Sequence, residues 1–118
     1  MGQTIEITVT TAATEGSPVT GTVAVGRGLM RDIALRFAAG CNGTVKVRVF
    51  KGLTQLFPRT ADGFYRLVVT PINVNDQEPL SDASTNIVLK GWADGSSFNH
   101  RVRLEFNVIP FDAPELIL

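Results

Sequence analysis

The chain has 118 residues, 44% of them hydrophobic and 19% charged, enough for one compact domain around one core and too few for a multidomain enzyme. Eleven Lys and Arg balance eleven Asp and Glu, so a net charge of zero supplies no overall pull toward nucleic acid or an anionic membrane, and any electrostatic partner must be met by a local patch. The single cysteine, Cys41, excludes an internal disulfide, and no apolar run approaches the roughly 20 residues that span a bilayer.

The opening Met1-Gly2-Gln3-Thr4-Ile5-Glu6 has neither the basic nor the apolar region of a secretory leader, which predicts synthesis without a signal peptide. Glu6 stands where N-myristoylation wants Ser or Thr. Residues 4–10 alternate apolar and polar, predicting a half-buried strand with Ile5, Ile7 and Val9 inward. Glu15-Gly16-Ser17-Pro18 breaks the pattern, and residues 19–25 resume it with Val19, Val23 and Val25 in phase. Residues 29–39 are rich in helix formers, yet Ile33, Leu35 and Phe37 recur with period two, which favours a strand over a helix.

Asn42-Gly43 is the pair best suited to a type I′ turn, where both positions need φ above zero. It predicts a hairpin into residues 44–50, with Val45, Val47 and Val49 buried and Lys46 and Arg48 facing out. Leu53, Leu56 and Phe57 belong to a short strand or loop. Ala61-Asp62-Gly63 supplies a turn, and residues 64–70 are β-rich enough for a central strand that Pro71 ends. From 72 to 85 the composition turns polar, predicting the one long loop. Residues 86–92 form a strand, a turn follows at 93–97, and residues 98–108 hold the longest alternation, apolar at every even position except His100. Pro110 stops it, and residues 110–118 form an extended tail.

About seven or eight short strands spaced by turn signals predict an all-β fold over residues 1–118, two antiparallel sheets packed as a jelly-roll-like sandwich, with an immunoglobulin-like sandwich as the alternative. The lack of a Cys-Trp-Cys spacing favours the jelly roll.

One His, one Cys and one Tyr cannot assemble a nucleophile-base pair or a metal cluster, so the reading is a non-enzyme without cofactor or metal. His100 reads as a rim histidine and Cys41 as a turn thiol with no flanking His. Asn42-Gly43-Thr44 matches the glycosylation pattern but is read as a turn, and Gly26-Arg27-Gly28 lacks the strand-to-helix setting of a phosphate loop. Asp76, Glu78 and Asp82 carry oxygen ligands suited to Ca²⁺, yet their spacing fits no EF-hand and a solvated acidic loop is the plainer reading.

Charge layout says more. Arg36, Lys46, Arg48, Lys90, Arg101 and Arg103 take outward strand positions, whereas Asp62, Asp76, Glu78, Asp82, Asp94, Asp112 and Glu115 fall in turns, the loop and the tail. This predicts a basic sheet face suited to an acidic protein surface, with Arg48, Arg101 and Arg103 as the leading partner contacts. The plainer alternative is that these cations only solubilise the sheet and protect its edges. Leu116, Ile117 and Leu118 follow two prolines and are the second candidate contact, by packing on a neighbouring copy or on a lattice. An outward Phe50 and Trp92 would enlarge such a patch.

In build, from the strands at Thr4-Ile5-Glu6-Ile7 and Arg103-Leu104-Glu105-Phe106 to the Pro114-Glu115-Leu116-Ile117-Leu118 tail, the chain resembles the small β-sandwich decoration, or cement, proteins of tailed-phage capsids. Those proteins sit on the capsid lattice as oligomers and clamp neighbouring subunits. The likeness implies a virion protein that binds a capsid lattice and itself, with no nucleic acid or membrane partner; no functional residue is carried over from it. The rival is a carbohydrate- or receptor-binding sandwich stacking Trp92 or Tyr65 on a sugar ring.

Overall fold

The computed structural model describes residues 2–37, 45–58, 63, 65–66, 72–74, 76–82, 84–93 and 99–111. In these residues the chain forms ten strands: β1 (Gly2–Val9), β2 (Val19–Val25), β3 (Gly28–Phe37), β4 (Val45–Lys51), β5 (Thr54–Phe57), β6 (Tyr65–Arg66), β7 (Ile72–Val74), β8 (Glu78–Leu80), β9 (Thr85–Ala93) and β10 (His100–Ile109). No helix occurs among the described residues, hence none long and apolar enough to cross a membrane.

The strands make two five-stranded antiparallel sheets. Sheet one runs β1-β10-β3, with β7 and β8 both pairing β3; sheet two runs β2-β9-β4, with β5 and β6 both pairing β4. The pairings β1 with β10, β2 with β9, β3 with β7 and β8, and β4 with β5 and β6 describe a chain doubled back on itself. Rolling that doubled chain sends successive pairs to alternate sheets and brings β10 beside β3 and β9 beside β4. This is jelly-roll topology. The immunoglobulin alternative fails because its first two strands share a sheet, whereas β1 and β2 lie in different ones.

Period-two alternation builds the core as the strand geometry demands. Ile5, Ile7 and Val9 of β1 and Val102, Leu104 and Phe106 of β10 meet Val45, Val47 and Val49 of β4 and Ile87 and Leu89 of β9, all buried in one cluster. His100, the polar break in the β10 pattern, is 9% exposed and sits opposite Val9 at the strand end. Gly91 permits the sheets to close there: a Cβ on it would lie 2.8 Å from Val9 Cγ2 and 2.9 Å from Ile7 Cδ1.

One irregularity interrupts β3. Arg31 pairs with Asn107 and Ala34 with Glu105, so two residues of β3, Asp32 and Ile33, oppose the single Phe106 of β10. Asp32 takes φ 55°, a left-handed conformation that Asp tolerates better than most residues. The bulge switches the strand's phase: Met30 points inward before it, and Ile33 and Leu35 after it.

Four expectations change. The Asn42-Gly43 turn lies outside the described residues, but β3 and β4 on either side belong to different sheets and are not a hairpin; each buries one face, and the two faces oppose each other across the core. The polar stretch at 72–85 holds β7 and β8 instead of forming one loop, short strands that can be polar because, among the described residues, each pairs only with β3. Of the expected central strand at 64–70, the described part is β6, which pairs with β4 alone. Trp92 is 5% exposed rather than outward-facing and free, for a reason given below.

Candidate functional site

Register decides which side chains share an outer surface. On sheet two the inward Val45, Val47 and Val49 leave Lys46, Arg48 and Phe50 on the other face, and pairing with β9 sets them beside Trp92, Lys90 and Val88. The five strands of this sheet contain Lys46, Arg48, Lys51, Arg66 and Lys90 and no Asp or Glu. Lys90 Nζ stands 4.5 Å from the centre of the Phe50 ring, a cation-π distance.

Arg48 is largely used inside the molecule. Its guanidinium lies 4.8 Å from the centre of the Trp92 ring, its Nε donates to the Gly63 carbonyl at 2.7 Å, and its Nη2 donates to Glu15 Oε2 at 2.8 Å. Its side chain is 12% exposed. The arginine therefore roofs Trp92, which explains how a residue at an outward position is buried. As a partner contact Arg48 is weaker than its alternation suggested, and Trp92 is no open sugar platform; Tyr65 is half-buried against the core.

Sheet one differs in kind. Its strands carry Arg31, Arg36, Arg101 and Arg103 against Glu6, Asp32, Glu78 and Glu105. Arg103 Nη2 contacts Glu6 Oε2 at 3.2 Å, its Nη1 lies 3.5 Å from Glu105 Oε2, and Arg36 Nε meets Glu105 Oε1 at 2.6 Å. Arg101 is exposed opposite Thr8. The six outward cations read from the sequence thus divide between the two outer faces of the sandwich, Lys46, Arg48 and Lys90 on one and Arg36, Arg101 and Arg103 on the other. The basic face is sheet two alone, and Lys46 and Lys90 are the residues that sequence spacing underrated, because strand order was needed to find them.

The hydrogen bond from Arg36 lowers the Glu105 carboxyl from its ordinary value against the opposing effect of burial, and Arg103 adds a lesser pull in the same direction. A lowered folded value means that Glu105 stabilises the fold above its unfolded value and loses that contribution as the pH falls through the folded one. Glu105→Gln should therefore lower stability modestly near neutrality, where the ion pair is lost, and flatten the acid limb of a stability-against-pH curve below about pH 4.5. An acid limb identical to that of the parent, by urea denaturation at a series of pH values, would show that the Arg36 bond does not shift Glu105.

Glu78, one of the three carboxylates considered for Ca²⁺, accepts from Lys51 Nζ at 2.7 Å and so ties sheet one to sheet two. Asp76 and Asp82 are exposed, and no group of three or more His, Cys, Asp or Glu side chains is placed to hold a metal among the described residues. Cys41, Leu116, Ile117 and Leu118 lie outside the described residues. No protein-family model matches the chain, and no curated protein matches its sequence.

Proposed function

We propose that this chain is a non-enzymatic assembly protein of a virion, a capsid decoration or cement protein that docks on the acidic surface of a protein lattice through the outer face of sheet two. One observation carries the reading: Lys46, Arg48 and Lys90 share the outer face of a sheet whose strands hold no acid. An excess of one sign steers an oppositely charged partner and raises its association rate. Phe50 and Val88 lie among the cations and add apolar contact area at the same place. The jelly roll is an architecture of viral capsid and lectin domains, and the resemblance in build to phage decoration proteins points the same way. Leu116, Ile117 and Leu118 are a second contact in this reading, joining copies into an oligomer on the lattice.

The test is co-sedimentation of the purified chain with empty shells of a tailed-phage capsid protein, across a salt series. Binding should weaken as the Debye length shrinks from about 10 Å at 0.1 M to about 3 Å at 1 M. The double reversal Lys46→Glu with Lys90→Glu should reduce affinity at least tenfold at low salt, mainly through slower association, whereas Arg101→Glu with Arg103→Glu should have a much smaller effect. Binding that ignores both salt and the Lys46/Lys90 reversal would overturn the reading.

A further inference from the structure

The outer face of sheet one, opposite the basic surface, is indented between β3 and β7 by an open concavity of about 920 Å³. The β3 bulge shapes its wall. Met30 and Ile33 are both buried, so Arg31 and Asp32 between them both stand on the outer side, an arrangement that a regular strand cannot give to adjacent residues. Asn107 Nδ2 donates to Asp32 Oδ2 at 2.9 Å and holds the left-handed turn of the backbone in place. Strained conformations of this kind persist where the surroundings over-determine them, and they cluster at binding sites.

Polar groups of both kinds line the hollow. Asp32, Asp76 and Glu105 bring carboxylate acceptors, and Arg31, Arg36, Asn73 and Gln77 bring N–H donors. Ala34, outward between the inward Ile33 and Leu35, supplies a small apolar surface, whereas Val74 pairs with Ile33 and turns toward the core. Arg31 Nε is shielded from solvent without a hydrogen-bond partner among the described residues, and Asp32 Oδ2 stands 3.6 Å from it, beyond bonding distance. Such an unmade bond costs free energy.

The mixture of groups selects the ligand. Arginines and carboxylates lie paired along the hollow, Arg36 with Glu105 and Arg31 beside Asp32, so neither a cation nor an anion meets an uncompensated charge, whereas a hydroxyl, which both donates and accepts, can join groups of both kinds. The volume falls in the range of small-molecule sites, about 300–1,000 Å³, and exceeds what one sugar ring fills. We propose that this concavity binds a short uncharged oligosaccharide, its hydroxyls bridging Asp32, Arg31 and Asn73 and its C–H face resting on Ala34. The site is independent of the lattice-binding reading, because it lies on the other outer face.

The experiment is a ¹H–¹⁵N NMR titration of the full chain with maltotriose, cellotriose and chitotriose, with glucuronate and glucosamine as charged comparators. At least one trisaccharide should shift amides within 31–36, 73–77 and 105 selectively, with a Kd of millimolar order or tighter. Asp32→Asn, which keeps a residue tolerant of positive φ, and Asn73→Ala should each weaken that binding at least tenfold with the melting temperature unchanged. If none of the three perturbs these amides at roughly ten times a millimolar Kd, or if only glucuronate or glucosamine does, the proposal is overturned. Sedimentation with capsid shells should be the same for Asp32→Asn and the parent, which separates this site from the docking face.

Discussion

Phe106→Ala is expected to remove about 3–5 kcal/mol of folding stability, a large part of the roughly 5–15 kcal/mol that holds a small domain together. Phe106 is 2% exposed and lies in the cluster that joins the two sheets. It is also the single β10 residue opposite the Asp32–Ile33 bulge, with Gln3 of β1 on its other side. The ring therefore fills the interior beneath a break in the hydrogen-bond ladder, and truncation leaves a void that a backbone already committed to the bulge is poorly placed to close. Urea denaturation reads the effect directly, and a loss below about 1 kcal/mol would mean that the side chain does not occupy the core.

Gly28→Ala should be the second most damaging change, although it adds one methyl group. A Cβ at Gly28 would stand 2.6 Å from the Ile109 carbonyl oxygen and 2.9 Å from Val108 Cγ1. The first of these is backbone and cannot rotate away, and Gly28 is held on its other side by pairing with Leu80. Strands β3 and β10 would have to part at their ends, where Leu29 and Ile109 are buried together. Overpacking of this kind costs roughly 1–3 kcal/mol, more where backbone must move. Gly16→Ala is the matched control, since nothing lies within 4 Å of its added Cβ; its effect should stay within about 0.5 kcal/mol. Equal denaturation midpoints for the two variants would show that β3 and β10 are less closely seated than the Gly28 geometry requires.

The parts of the fold legible in the sequence are those set by local periodicity. Strand β2 covers the same residues as its alternation, 19–25, and β10 buries Val102, Leu104 and Phe106 as the even-numbered pattern requires. Sheet membership is not local, and there inference from neighbours failed. The Asn-Gly signal describes how tightly a chain can turn, not whether the strands beside it lie edge to edge or, as β3 and β4 do, in different sheets. The basic face was obscured for the same reason: Arg48 and Arg103 look equivalent in one dimension, yet one lies over Trp92 and the other is exposed beside Glu6 on the opposite outer surface. The concavity depends on a residue with positive φ, and its only trace in the sequence is the change of phase between Met30 and Ile33, which the approach to Phe37 masks.

The doubled-back pairing also bears on how the protein is made. Gly2 pairs with Asn107 and Val9 with His100, and β10 is the only strand with which β1 shares hydrogen bonds among the described residues. A ribosome adding roughly 5–20 residues per second takes about 5–20 s to lengthen the chain from position 2 to position 107. Throughout that interval Ile5, Ile7 and Val9 are an emerging strand with no partner yet synthesised. The polar half of the same alternation, Thr4, Glu6 and Thr8, is exposed in the folded protein and puts a charge in the middle of that strand, a feature that discourages nascent chains on neighbouring ribosomes from pairing with one another.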